Sequence, residues 1–284
     1  MEVIHTVREL RHRLAGEGAV GFVPTMGSLH AGHLSLVREA RSLASFVVAS
    51  IFVNRLQFGA GEDFERYPRR LEDDARQLAG AGCQVVFAPD EAEMYPQPQT
   101  YFVEPPALRD ELEGAVRPGH FRGVCTVVLK LFQIVQPQVA LFGKKDYQQW
   151  VILRDMVESL ALPVRMVAGE TIRAQDGLAL SSRNAYLTPE ERDEAPHLLA
   201  QLHAAAERLR GGRHTTAEVE EGASMGLRER GWLVDYISVR RRHDLAMPHA
   251  GDLRLVLLAA ARLGGTRLID NLEISLQGSA HGPG

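Results

Sequence analysis

The segment Phe46-Val47-Val48-Ala49-Ser50-Ile51-Phe52-Val53 restricts the fold more than any other stretch of the chain. It has no apolar–polar alternation, so both faces of a strand built from it must be covered. Strands of that kind belong to parallel sheets layered between helices. The run is too short to cross a bilayer, as is the other strongly apolar stretch, Leu255 to Leu263.

The flanking sequence supplies the rest of such a sheet. Ala19 to Pro24 reads as a strand, and Gly32 to Leu43 as a helix with Leu34, Val37 and Arg41 on successive turns. A charged helix is expected over Pro68 to Ala81, then a strand over Gln84 to Ala88. A Pro-rich loop from Pro89 to Pro106 contains a candidate strand at Thr100 to Val103. Further helices are expected at Val124 to Val135 and Asp146 to Leu160, and further strands at Val139 to Phe142 and Val164 to Val167. This order predicts an α/β fold, a doubly wound, Rossmann-like parallel sheet with right-handed crossovers. Ligands of such sheets sit at the carboxyl ends of the strands, near the point where strand order reverses.

After Asp176 the texture changes. Thr188-Pro189-Glu190-Glu191 has the form of a helix start, with Thr as N-cap and Pro at the first helical position. One helix is expected to about Leu209, a second over Thr216 to Glu229, and strands over Val234 to Val239, Leu253 to Ala261 and Arg267 to Ile274. The expected division is 1–176 for the sheet domain and 177–284 for a smaller C-terminal α+β domain. Ser279 to Gly284 is expected to fray.

The 284 residues carry a net charge of −4 and a pI of about 6.3, without the basic excess of a nucleic-acid binder. Arg240-Arg241-Arg242 reads as a solvated strand end. Cys83 and Cys125 are far apart and fit two buried thiols. The first residues lack a signal-peptide pattern, so a cytoplasmic protein with no membrane partner is expected.

Five segments carry polar chemistry. Pro24 to His33 joins a buried strand to a helix, where backbone N–H groups and the macrodipole favour an anion. His30 and His33, three apart, share a face of that helix and can donate to a polyphosphate. A glycine-containing turn with two surface histidines is the plainer reading. A zinc site is disfavoured by the lack of nearby Cys or an H-E-x-x-H pattern. Ser50 to Phe58 closes a strand with Asn54 and Gln57, amides that suit a small substrate bearing hydroxyl and carboxylate groups. Arg117 to Val124 leads a turn into a helix beside two arginines, groups suited to phosphate or carboxylate. Phe142 to Gln149 opens another helix after a strand. It is not a Walker A loop; Lys145 can serve as a point charge for phosphates, and capping alone accounts for Asp146. Arg173 to Asn184 brings two hydroxyls and Arg183 next to the expected domain boundary, as a phosphate clamp or as an ordinary linker.

Together these strings resemble the pantothenate synthetase family, within the H-x-G-H nucleotidyltransferases, from about residue 20 to 190. The resemblance implies an ATP-dependent enzyme that joins pantoate to β-alanine through a pantoyl-adenylate, releasing AMP and pyrophosphate. It implies ATP contacts at Met26, Gly27, Ser28, Leu29, His30, Ala31, Gly32 and His33, at Gly143, Lys144, Lys145 and Asp146, at Ile172, and at Leu180, Ser181, Ser182 and Arg183. His33, His30, Lys145, Ser181, Ser182 and Arg183 would stabilise charge during adenylation. Gln57, Gln149, Asn54 and Arg117 would line the sites for pantoate and β-alanine. Asp73, Asp74 and Gln77 match positions that contact Mg²⁺, although a helix surface explains the two acids equally well. A homodimer is also implied.

Two positions depart from the family pattern. Arg55 stands where the family usually has Pro, and basic Lys144 where it usually has an acid. Three other readings compete: a dinucleotide-forming adenylyltransferase, a class I aminoacyl-tRNA synthetase, and a nucleotide-binding module without turnover. The short acidic chain speaks against the synthetase.

Overall fold

A computed structural model describes residues 1–276 of the chain, so the expected frayed tail lies outside the described residues. Six strands form one sheet: β1 (Glu2–Ile4), β2 (Val20–Thr25), β3 (Phe46–Ile51), β4 (Val85–Phe87), β5 (Val139–Gly143) and β6 (Arg165–Gly169). Their order is β1-β4-β3-β2-β5-β6, and every pairing is parallel. The order reverses between β2 and β5. The carboxyl ends of those two strands, at Thr25 and Gly143, therefore flank the switch point where doubly wound sheets bind ligands.

The helices of this part are α1 (Val7–Leu14), α2 (Ala31–Leu43), α3 (Leu71–Ala81), α4 (Glu91–Met94), α5 (Glu113–Val116), α6 (His120–Val135) and α7 (Tyr147–Ser159). Alternate residues of each strand serve opposite faces. Val23, Val47, Ala49, Val86 and Leu141 pack with Leu36, Val37 and Ala40 of α2 and Leu78 of α3. On β2 and β5 the neighbouring positions Phe22 and Phe142 meet Phe132 of α6, each with ring centroids 6.3 Å apart. Burying each such side chain contributes about 1.5–3 kcal/mol. Both thiols are buried, and burial pushes Cys83 up to about 11 and Cys125 up to about 12.

A second sheet holds β7 (Leu233–Arg241), β8 (Arg254–Leu263) and β9 (Thr266–Ser275), antiparallel in that order. Helices α8 (Pro189–Glu194), α9 (His197–Arg210) and α10 (Thr216–Arg228) accompany it. Leu198, Leu202, Val219, Leu227, Trp232, Leu257 and Ile274 belong to its core. The capping box expected at Thr188 is present with Glu191, and Thr215 with Glu218 repeats the device.

Three expectations need correction, and two elements lie outside the expected ones. The single helix to Leu209 is two, because Pro196 lacks the N–H that would continue α8 and its ring opposes the preceding turn. Thr100 to Val103 is not a strand. Among the described residues its backbone has no strand partner, and Val103 N–H is instead taken by Thr126 Oγ1 at 3.0 Å. Helix α6 begins at His120, four residues before the expected start at Val124, after Gly119 turns the chain at φ +82°. β1 and α1 were not expected; β1 is three residues long and is defined by its pairing with distant β4.

By its contacts the chain divides into two units: Met1–Lys144 with Ile152–Ile172, and Lys145–Val151 with the residues from Arg173 onward. Arg173 joins the second unit through two bonds to buried Asp270, at 2.6 and 2.8 Å. Among the described residues no helix is long and apolar enough to cross a membrane.

Candidate active site

At the end of β2 the chain turns through Gly27 (φ +85°) and Ser28 (φ +52°) before entering α2. A left-handed serine is strained by about 1 kcal/mol or more. Its neighbour in space offsets this. The Asp74 carboxylate, 1% exposed, accepts the Ser28 N–H on one oxygen and the Leu29 N–H on the other, each at 2.8 Å. Thr25 Oγ1 donates to Ser50 O at 2.7 Å and accepts from Gly27 N–H at 3.2 Å, tying the loop to β3.

His30 is the N-cap of α2. Its Nδ1 accepts from Gly32 N–H at 3.1 Å, and His33 Nδ1 accepts from His30 N–H at 3.4 Å. The rings lie 4.1 Å apart. In a neutral imidazole whose Nδ1 accepts, the proton must sit on Nε2. The pair therefore presents two Nε2–H donors at a helix N-terminus, where negative charge is favoured. Gly32 permits the fold-back of His30: a Cβ there would lie 2.9 Å from His30 Cε1 and Nδ1. Ile172 is adjacent, its Cβ 4.0 Å from the same point.

The end of β3 carries the amides. Asn54 is 1% exposed and fully bonded: Nδ2 donates to Gln57 Oε1 at 3.1 Å and Gly123 O at 3.2 Å, while Oδ1 accepts from Tyr95 at 2.8 Å. Gln57 Nε2 in turn reaches Met26 Sδ at 3.2 Å, joining the β2 and β3 loops. Gln57 lies on a 3-10 turn over Arg55–Gln57. Arg55 itself lies over the Phe64 ring, 4.0 Å from its centroid, and its Nε donates to Glu91 at 3.3 Å.

Below that turn Arg117 donates twice to Glu62, at 2.8 and 2.7 Å, and His120 Nδ1 meets Gln57 O at 2.9 Å. Burial raises the Glu62 carboxyl, but the Arg117 bonds and charge prevail and hold it below the usual range. Burial, reinforced by the Arg117 charge, pushes His120 down to about 4, so the ring is neutral at pH 7. Because Nδ1 faces a carbonyl it must carry the proton, and Nε2 accepts from Arg117 Nη1 at 3.1 Å. Residue type and spacing do not mark His120, Glu62 or Tyr95 as partners of these amides and this arginine. Only the motif position of His120, inside Arg117 to Val124, offered a signal.

Asp73, Asp74 and Gln77 line a cavity of about 370 Å³ with Ser28, Leu29, Arg70 and Arg76. Asp73 pairs with Arg76. Beyond β5, Gly143 is half-buried, and Lys144 pairs with the Glu170 carboxylate at 2.5 Å.

The remaining expected residues belong to the second unit: Lys145, Asp146, Gln149 and Leu180 to Arg183. Ser181 caps the 3-10 turn Ser182–Tyr186, its Oγ accepting from Arg183 N–H at 3.3 Å. Asn184 Nδ2 donates to Ala179 O at 3.1 Å and fixes the same loop.

Known proteins resemble the chain over nearly its full length. The family model of pantoate-beta-alanine ligases matches residues 2–273. Pantothenate synthetase of Neisseria meningitidis serogroup B is 59% identical over 277 residues, 97% of this chain and 100% of the relative. The Leptothrix cholodnii pantothenate synthetase is also 59% identical, covering 96% and 100%. Pantothenate synthetase of Thermus thermophilus superposes with a TM-score of 0.92 at 48% identity, over 97% of this chain and 100% of that one. The Francisella tularensis pantoate-beta-alanine ligase, solved with beta-gamma ATP and beta-alanine, has a TM-score of 0.82 at 32% identity, covering 96% and 97%. On this match of sequence, parallel sheet and small antiparallel domain, the chain belongs to the pantoate–β-alanine ligase family.

Proposed function

We propose that the chain condenses pantoate with β-alanine at the cost of ATP, through a pantoyl-adenylate, releasing AMP and pyrophosphate. The observation that carries this reading is the His30–His33 pair, two Nε2–H donors fixed at the start of α2 beside the sheet's switch point. The Francisella relative, with beta-gamma ATP and beta-alanine bound, supports it.

In the first step a pantoate carboxylate oxygen attacks the α-phosphorus in line. The bond to the β-phosphate breaks and pyrophosphate leaves. No protein nucleophile is required, so catalysis consists of placement and stabilisation of phosphate charge. His30 and His33 donate to the phosphates; Lys145 and Arg183 supply cations, and Ser181 and Ser182 hydroxyl donors. Residues Met26 to His33, Gly143 to Asp146, Ile172 and Leu180 to Arg183 hold ATP. Gln57 and Gln149 hold pantoate, with Asn54 and Arg117 at the border of the site. In the second step the β-alanine amine attacks the acyl carbon of the mixed anhydride, AMP departs with the former carboxylate oxygen, and the amine loses its proton.

Mg²⁺ belongs to the same reading. The cavity beside the Gly27–Leu29 loop offers hard oxygens from Asp73 and Gln77 together with the cationic side chains of Arg70 and Arg76, so Mg²⁺ would be held there mainly through phosphates and water. Asp74 has lone pairs left after its two N–H bonds and can contribute one. The ion would neutralise phosphate charge when bound. A lid role for residues 177–284, a homodimer and a cytoplasmic location complete the proposal.

A pyrophosphate-release assay with each substrate omitted in turn tests it. Release is expected with ATP and pantoate, and free AMP with pantothenate only when β-alanine is added. An adenylylated final product without free AMP would point to a dinucleotide-forming enzyme instead. ATP binding without turnover would point to a binding module.

A further inference from the structure

Asn271 stands on β9 at 6% exposure, and its Nδ2 donates to the main-chain carbonyl of Lys145 at 2.9 Å. Two residues on, Glu273 points from the same face of the strand. It accepts the Tyr147 hydroxyl at 2.9 Å and pairs with Arg242 at 2.5 Å. One strand face thus grips two points of the segment Lys145–Val151, and all of these residues lie within the second unit.

Lys145 has a flexible four-carbon stem, so the reach of its ammonium group depends on where the backbone is held. It lies in the single 3-10 turn Lys144–Asp146 between β5 and α7. A buried amide in a strand core is costly unless bonded, and an apolar residue would fill the same space. We infer that Asn271 is a positioning residue for Lys145: its amide fixes the Lys145 carbonyl, and thereby the phosphate-facing ammonium, with Glu273 and Tyr147 bracing the next turn. This rests on the phosphate role of Lys145 in the proposed function.

The experiment uses the full chain and separates the two half-reactions. Pantoate-dependent ATP–pyrophosphate exchange reads adenylation, and condensation of supplied pantoyl-adenylate with β-alanine reads the second step. Asn271→Ala should slow exchange roughly 10- to 100-fold, the scale for misplacing a group remote from the chemistry. The second step should stay near wild type. Lys145→Ala/Asn271→Ala should be no slower in exchange than Lys145→Ala, because the two residues act as one unit. Asn271→Asp keeps the shape and, when ionised, lacks the donor. It should match Asn271→Ala at neutral pH and carries the test if the alanine variant does not fold.

Equal losses in both half-reactions, or a cost that adds to that of Lys145→Ala, would overturn the inference. A slow Lys145→Ala beside wild-type-like Asn271→Ala and Asn271→Asp overturns it alone. A Lys145→Ala that exchanges at the wild-type rate overturns the phosphate role of Lys145, and the inference with it.

Discussion

The Asp74 carboxylate, on the first turn of α3, accepts the backbone N–H of left-handed Ser28 at 2.8 Å, across 46 residues of chain. Its second oxygen takes the next N–H, of Leu29. The shape of the Gly27–Leu29 loop, proposed to hold ATP, is therefore set from α3. Asp74→Asn replaces one acceptor with a donor facing an N–H. The expected loss is about 1–3 kcal/mol of stability, the cost of an unsatisfied buried group. Denaturant unfolding measures it, and KM for ATP should rise in parallel. A variant unchanged in both would show that the loop holds its shape without Asp74.

His120 gives a prediction in pH. Its folded value of about 4 lies below the ordinary 6.5, so below pH 6.5 the unfolded chain takes up a proton that the native ring refuses. The stability linked to this ring is complete above about pH 6.5 and is lost as pH falls from there toward 4. The loss amounts to about 3 kcal/mol. Histidine NMR should show a neutral Nδ1–H tautomer that does not titrate between pH 8 and 5. A midpoint near 6.5 would contradict the buried Gln57–His120–Arg117 arrangement.

Gly123 sets the position of Gln57. A Cβ at Gly123 would stand 2.1 Å from Leu56 O and 2.6 Å from Gln57 N, both backbone atoms that cannot swing aside. Gly123→Ala must displace the 3-10 turn by on the order of 1 Å, a shift that can cost about 10²-fold in rate. Steady-state kinetics should show the loss in kcat/KM for pantoate, while ATP binding measured without pantoate stays near wild type. Equal damage to ATP binding would mean that the whole site, and not the Gln57 turn, has moved.

Much of this architecture was legible in the sequence because it follows local rules. Phe46 to Ile51 has to be covered on both faces, and Thr188-Pro189 has to start a helix, whatever surrounds them. The short edge strand β1 has no periodicity of its own and exists through β4. Helix α9 has no separate signal in the sequence, because Pro196 sits inside an otherwise helical pattern. At the site, the histidine pair and the amides stood out by residue type. The partners that orient them did not. Asp74 reads as one more acid on a charged helix and His120 as part of a turn, and nothing near Lys144 in sequence points to Glu170, 26 residues on, which pairs with it. Those pairings are made by the fold and follow no spacing rule.

Pantoate-dependent ATP–pyrophosphate exchange in His33→Ala reads whether the H-x-G-H histidines stabilise phosphate charge as pantoate is adenylated. Exchange should fall by about 10²–10³, the scale for removing one donor to developing charge. An exchange rate close to that of the unmodified enzyme would contradict the account.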